Sequence, residues 1–338
     1  MSFKRYETDD FVVSSDSITS TLWSTGNPTL AEFFTSSVQA AGSSGNFYLS
    51  VYNTGSDLIN SLPQFEIAYA DVDGSGSAYY NTAVPGKSPS LSTYGQYRAL
   101  ILEDENKSFT FGTDNNVFTT PNFWVISMDR ARYKESLFPG SLNLTLSGSA
   151  GIIHLTDNST DVKINTFIGS SRVYQLISGS EGSSGDIANN GFVANSGSYG
   201  LVFPELGTIL LNPSAISQSI GVDAVRTANS ANGVNNATLY DSIALGQNFK
   251  LNSQETITSD YIFTRARNSE FNYTQNPTFI SGSTGEVIYN NFINNPQTYI
   301  TTIGMYNDTN ELLAVAKLSR PLIKDFTKEA LVRVKLDF

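Results

Sequence analysis

The last forty residues of the chain carry the two patterns that constrain the fold most strongly. Residues 331–338 alternate between a charged face and an apolar face, and the apolar face consists of Val332, Val334, Leu336 and Phe338. Before them, residues 299–318 contain two apolar runs separated by the polar residues 307–310, a pattern typical of a β-hairpin. The sequence therefore predicts that this part of the chain is paired within a sheet.

Most of the remaining chain also has strand character. The segment 201–211 is apolar enough for a buried strand or for a strand pair broken at Pro204. Alternating or β-branched runs bounded by Gly, Asn, Asp and Pro predict further strands at 47–52, 65–69, 108–112, 123–128, 141–147 and 151–156. We expect a mainly β protein with a few short helices (α+β), built from antiparallel sheets in β-sandwich-like domains.

Two segments have helical patterns. Thr29 and Glu32 have the spacing of a capping box, an apolar stripe follows, and Gly42 can end the helix. A second helix is predicted at about 92–103, where apolar and aromatic residues recur at helical intervals. Both helices precede segments with strand patterns.

Composition divides the chain into three parts. Residues 178–200 are rich in Gly, Ser and Asn and predict a long loop or an ordered extension, and residues 227–237 show no periodicity. We therefore expect an N-terminal mixed α+β domain at 1–148, a β-rich middle region at 149–254, and a C-terminal β unit at 255–338.

The overall composition excludes several classes of protein. The chain has no cysteine, which excludes disulfides and thiolate metal sites. Its net charge of −11, with only 15% charged residues, argues against a protein that binds nucleic acid. No apolar run approaches the roughly 20 residues of a membrane helix, and the N-terminus lacks a hydrophobic secretory core. We expect synthesis in the cytoplasm and no membrane insertion.

The residues that could carry chemistry do not form a recognisable site. His154 is the only histidine, so it cannot form a multi-histidine metal site, and we interpret it as a packed or hydrogen-bonded strand residue. Residues 71–76 resemble the start of a calcium loop, but Thr82 stands where such a loop needs a bidentate Glu. An Asp/Gly turn is the favoured interpretation, with structural ion binding as the alternative. No catalytic, cofactor-binding or metal-binding residue is predicted.

Several segments resemble virion structural proteins of contractile-tailed bacteriophages, in particular T4-like phages of marine bacteria and cyanobacteria. The segments that carry this resemblance, in order, are 32–39, 65–77, 97–102, 265–279, 292–308 and 311–318. The unit at 303–316 is similar to one in tail-collar and fibre-attachment domains, where the hairpin helps to build a platform between subunits. The first three segments resemble baseplate-associated proteins.

This resemblance implies a non-enzymatic structural component of a phage tail, located in the virion and placed in the baseplate wedge. It also implies a homo-oligomer, with a dimer as one form, that contacts other phage tail and baseplate proteins through sheet edges and loops. The residues predicted to make these contacts are Tyr199, Tyr306, Leu312, Val315, Val334 and Phe338.

Three alternatives remain open from the sequence. The first is a receptor- or carbohydrate-binding tail fibre protein, which would use Ser, Gly and Asn loops with exposed aromatic rings. The second is a capsid or head-decoration protein. The third is a glycan hydrolase, for which the chain offers many carboxylates but no feature that selects a pair.

Overall fold

The fold comes from a computed structural model, and the structure describes residues 10–21, 34–35, 48–52, 62–77, 83, 88–113, 116–133, 135–162, 166–185, 190–226, 234–274 and 276–337. The predicted class, mainly β with short helices and antiparallel sheets, is confirmed.

The described residues form twenty strands and four α-helices. The strands are β1 (Phe11–Thr21), β2 (Phe34–Thr35), β3 (Tyr48–Tyr52), β4 (Pro63–Asp71), β5 (Thr110–Phe111), β6 (Phe118–Thr119), β7 (Asn122–Met128), β8 (Ser136–Leu137), β9 (Asn143–Gly148), β10 (Gly151–Asp157), β11 (Thr166–Ile168), β12 (Ser171–Ser180), β13 (Ser183–Ser184), β14 (Gly200–Phe203), β15 (Thr208–Leu211), β16 (Phe249–Lys250), β17 (Ser253–Ala266), β18 (Thr298–Tyr306), β19 (Leu312–Lys324) and β20 (Ala330–Asp337). The helices are α1 (Pro89–Tyr97), α2 (Pro213–Ile220), α3 (Val234–Gly246) and α4 (Asn290–Asn294).

The chain divides into two compact units. The central unit is Thr19–Glu255, and the terminal unit combines Met1–Ile18 with Thr256–Phe338. The predicted boundary at 148/149 lies in the turn between β9 and β10, which pair with each other inside one sheet of the central unit. The predicted boundary at 254/255 lies next to Thr256, where the second part of the terminal unit begins.

One large antiparallel sheet organises the central unit. Its strand order is β16-β9-β10-β12-β14-β15-β7-β4-β3-β2, and β11 and β13 also pair with β12. Of the two alternatives predicted for 201–211, the strand pair is the one observed: β14 and β15 pair with each other and are joined by a turn that follows Phe203 and contains Pro204. Since Pro cannot donate a ladder hydrogen bond, it fits this turn better than a continuous strand.

Strand β7 shows that both faces of the sheet are covered. Trp124 and Ile126 belong to one buried apolar cluster, whereas Phe123 and Val125 belong to another. Successive side chains of a strand point to opposite faces, so two apolar clusters account for the nearly continuous apolar run of β7. Full burial of each such large side chain contributes about 1.5–3 kcal/mol.

Helices pack on each of these faces. The cluster around Trp124 includes residues of α2 and α3, and the cluster around Phe123 includes Tyr94 of α1. The predicted helix at 92–103 is confirmed, although it begins at Pro89, a residue type favoured in the first helical turn. It continues as a π-helical turn, Arg98–Leu102, and ends at Glu103, which has a left-handed φ of 54°.

The predicted helix near residue 30 is wrong where the structure describes it. Phe34–Thr35 forms β2, which pairs antiparallel with β3, and the rest of 29–42 lies outside the described residues. An aromatic and a β-branched residue suit an edge strand, and pairing with β3 overrides the local capping pattern.

The Gly/Ser/Asn-rich segment is ordered by buried hydrogen bonds where it is described. Gln175 Oε1 accepts from Ser198 Oγ at 2.6 Å and from the Gly112 N–H at 2.9 Å. Asn212 Nδ2 donates to the backbone oxygens of Ser196 and Ser198 at 2.7 and 2.9 Å. The segment leading to β14 is therefore part of the core rather than a solvated loop.

In the terminal unit, the predicted pairing of the last strand is confirmed. β20 pairs antiparallel with β17 from Ser259 to Ala266, in a sheet with the order β1-β17-β20. Val332, Val334 and Leu336 are half-buried, whereas the residues between them are exposed, as the alternation predicts. Among the helices that the structure describes, none is long and apolar enough to span a membrane.

Candidate interaction surface

The predicted hairpin is confirmed as β18 and β19, and Asn307 holds its turn together. Asn307 Oδ1 accepts from the N–H groups of Thr309 and Glu311 at 3.1 and 2.8 Å, and its Nδ2 donates to Glu311 Oε2 at 2.8 Å. Asn310 has a φ of 63°, a conformation that Asn tolerates better than most residues. The turn is therefore stabilised by its own side chains.

Tyr306, Leu312 and Val315 lie together on one face of the hairpin. Tyr306 pairs with Leu312, and Gly304, two residues before Tyr306, pairs with Val315. A Cβ at Gly304 would come within 2.9 Å of Tyr306 Cε2 and 3.4 Å of Leu312 Cδ1, so the Tyr306 ring lies over the glycine. The strand register thus brings together three of the six predicted contact residues.

These side chains and the adjacent Leu313 are exposed, and the four residues together are named the hairpin surface. The exposed fractions are 67% for Leu313, 57% for Val315, 52% for Leu312 and 49% for Tyr306. Within the part of the chain that is described, β18 and β19 pair only with each other. A two-stranded sheet is at best marginally stable in water, and a group of exposed apolar side chains is typical of an interaction site.

Charged residues flank this apolar group. Glu311 precedes Leu312, and Lys317 follows Val315 by two residues on the same face of β19; both are exposed. β18 itself contains no charged residue. An apolar centre with a charged rim is the composition that protein interfaces have.

The other three predicted contact residues lie elsewhere. Val334 is half-buried in β20 opposite Ile262 of β17, and Phe338 lies outside the described residues. Tyr199 is only 6% exposed in the central unit, and its hydroxyl is 2.8 Å from Ser219 Oγ. Tyr199 is therefore not included in the hairpin surface.

A buried ion cluster connects Asp10 to the end of β17. Asp10 is 3% exposed; its Oδ1 accepts from Arg265 Nε and Nη2 at 3.0 Å, and its Oδ2 lies 2.9 Å from Arg267 Nη2. Burial alone would raise the pKa of Asp10, but the hydrogen bonds from the two arginines outweigh it and hold the pKa below its ordinary value.

We expect the terminal unit to lose stability in acid as Asp10 becomes protonated. Because its pKa is lower in the folded chain, Asp10 contributes stability that is full above the unfolded pKa and is lost as the pH falls through the folded pKa. Asp10→Asn should remove this contribution and flatten the pH dependence of thermal unfolding below about pH 4. Asp308→Asn, at an exposed turn position, is the control and should keep the dependence of the unmodified chain. Equal pH dependence in the two variants would contradict this role of Asp10.

The favoured Asp/Gly turn after β4 is confirmed. Oδ1 of the fully buried Asp71 accepts from the N–H groups of Asp73 and Ser75, and Oδ2 lies 2.6 Å from Arg226 Nε. The Asp71 carboxylate is thus fully engaged by protein donors. Across the described ranges, no group of three or more His, Cys, Asp or Glu side chains is arranged to hold a metal ion.

His154 is a hydrogen-bonded residue of β10, as interpreted from the sequence. Its Nδ1 lies 2.9 Å from Thr145 Oγ1 on the paired strand β9.

No protein-family model matches the chain, and no curated protein or solved structure matches it. A functional proposal for this protein depends on the hairpin surface and on the sequence resemblance.

Proposed function

We propose that this protein is a non-enzymatic structural subunit of a contractile bacteriophage tail, placed in the baseplate wedge, and that it assembles through the hairpin surface. The observation that carries the proposal is the uncovered apolar face of the β18–β19 hairpin. Because four large apolar side chains are exposed on a sheet of only two strands, covering them on assembly is favourable. The tail location is supported by the resemblance of this same hairpin to intersubunit hairpins of phage tail proteins.

The charge distribution favours a second copy of the chain as the first partner. Residues 256–338 contain eight Lys or Arg and eight Asp or Glu residues, so their net charge is zero, whereas the whole chain carries −11. Two copies that approach through this segment avoid the net repulsion that the acidic remainder would impose.

The order of charges along β19 suits a two-fold arrangement. A two-fold axis near Ala314 would place Glu311 of each copy opposite Lys317 of the other, with Leu313 and Val315 between them. An interface of this kind is self-complementary in both charge and apolar surface. Neighbouring tail proteins would then contact the dimer through other loops and strand edges.

Immunogold electron microscopy of purified parent virus particles, with an antibody against this chain, tests the tail location. We expect label at the tail end distal to the head. Label confined to heads, or an absence of label, would overturn the proposal. Label confined to fibres would favour the receptor-binding alternative, which glycan-array binding of the isolated protein would then examine.

A further inference from the structure

Lys324, the last residue of β19, is a fully buried lysine that faces uncharged oxygen atoms. Its exposed fraction is 0%. Its Nζ donates to the Asn268 backbone oxygen at 3.0 Å, to Asn272 Oδ1 at 3.0 Å and to the Asp325 backbone oxygen at 3.1 Å. Burial lowers the pKa of Lys324, against the opposing charges of Asp325 and Glu329. A buried amine of this kind loses its proton more readily than an exposed lysine and is then a nucleophile.

The carboxamide of Asn272 is held in place beside this amine. Asn272 is 6% exposed, and its Nδ2 donates to the Asn268 backbone oxygen at 2.6 Å. The same carbonyl oxygen therefore binds both Lys324 Nζ and Asn272 Nδ2. Because the Asn268 oxygen holds both groups next to each other in a buried site, a reaction between the amine and the carboxamide would cost little further translational and rotational entropy.

The backbone before Asn272 is strained. Phe271 has a φ of 54°, a conformation that is rare for a bulky residue. Thr298 Oγ1, at the start of β18, donates to the Phe271 backbone oxygen and holds this conformation. Strain of this type persists where the surrounding contacts impose it and is concentrated at functional positions.

We propose that Lys324 and Asn272 condense to form an intramolecular isopeptide bond. Lys324 Nζ loses a proton and forms a bond with Asn272 Cγ, and the bond between Cγ and Nδ2 breaks. The departing NH₂ group takes up the proton displaced from Nζ and leaves as ammonia, which binds the first proton as ammonium. One lysine ammonium and one carboxamide thus become one secondary amide and one ammonium ion, with no oxidation and no co-reactant.

The bond would fasten the base of the hairpin. It joins the loop after β17 to the end of β19 and closes a covalent loop over residues 272–324, which contains α4, β18 and all of β19. A cross-link of this span restricts the unfolded chain as a disulfide would, in a sequence that has no cysteine.

Mass spectrometry of the purified, denatured full-length chain tests this proposal. We expect an intact mass lower than the sequence mass by one ammonia, and a cross-linked tryptic peptide that contains both Asn272 and Lys324. Lys324→Arg keeps the charge without the amine nucleophile, and Asn272→Ala removes the carboxamide; both variants should lack the cross-link. Lys328→Arg changes a nearby exposed lysine and should retain it.

The intact mass alone does not identify the bond, because succinimide formation at an Asn–Gly pair such as Asn190–Gly191 also releases ammonia. The decisive result is therefore the cross-linked peptide. Recovery of separate, unmodified peptides for Asn272 and Lys324 from the unmodified chain would overturn the proposal. Lys324 would then be a structural ammonium only.

Discussion

Val315→Glu is expected to leave the protein folded while preventing copies from associating through the hairpin surface. Val315 is 57% exposed in the single chain, so the substitution removes little buried apolar area. Within an interface, however, the new carboxylate would lose its hydration without a partner at the apolar centre. We expect self-association to weaken at least tenfold, a change of about 1.4 kcal/mol. Sedimentation velocity over a range of protein concentrations measures this.

Leu313→Glu provides a second variant with a closely matched control. Leu313 is 67% exposed on the hairpin, and Leu245 is 68% exposed on α3 of the central unit. Leu313→Glu should weaken self-association, whereas Leu245→Glu adds the same charge at a similar exposure and should not. If the two hairpin variants associated as strongly as the Leu245→Glu variant, the hairpin surface would not be the contact between copies.

The parts of the fold that follow from the sequence are those with a local cause. Two apolar runs around a polar turn predict the β18–β19 hairpin, and hydrogen bonds within five residues hold that turn. The alternation in β20 likewise predicts its half-buried and exposed faces. The grouping of Leu312 with Val315 could not be predicted in this way, because the two residues lie three positions apart in β19 and regular alternation would place them on opposite faces. They share a face because the register shifts by one residue between Met305 and Tyr306.

The parts of the fold that the sequence does not predict depend on contacts between residues far apart in the chain. Helix α2 has a recognisable start and end, since Asn212 accepts from the Ser214 N–H, Pro213 follows and Gly221 ends the helix with a φ of 68°. Helix α2 is thus an exception, because this local pattern in the sequence marks both of its ends. Helix α3 begins at Val234, inside the segment 227–237 that shows no helical periodicity. The periodicity is missing there because Asn235 occupies the position where an apolar residue would complete the buried stripe of Leu239 and Ile243.

Lys324 and Tyr199 are single side chains whose burial the sequence does not predict, for the same reason. Lys324 follows an apolar run and would be taken from the sequence alone for a solvated charge, yet its acceptors come from residues 268, 272 and 325. Tyr199 lies in a polar segment, but it packs in the main core cluster of the central unit. Burial at these positions is decided by tertiary contacts that no local pattern contains.

Asn235→Ala is expected to destabilise the central unit by about 3 kcal/mol or more. The buried Asn235 side chain accepts from the Val225 N–H at 2.8 Å and donates to the backbone oxygens of Gly76 and Val225 at 3.0 and 2.9 Å. Alanine would leave three backbone groups without this partner: the oxygen of the buried Gly76, and the N–H and oxygen of the half-buried Val225. An unsatisfied buried group costs about 1–3 kcal/mol, and we expect about 1 kcal/mol from each of these three. Chemical denaturation followed by tryptophan fluorescence measures the loss.

Two further variants separate the side-chain hydrogen bonds from other effects of changing α3. Asp241→Ala alters an exposed residue of the same helix and should change stability by less than about 0.5 kcal/mol. Trp124→Phe removes the Nε1–H that donates to the Asn235 backbone oxygen at 2.9 Å but leaves the Asn235 side chain in place. If Asn235→Ala cost no more than Asp241→Ala, the side chain of Asn235 would not be what joins α3 to the turn after β4 and to the segment after α2. Because Trp124 is fully buried, Trp124→Phe also leaves a cavity in the core. A loss in Asn235→Ala that exceeds even the loss in Trp124→Phe would assign that connection to the side-chain amide.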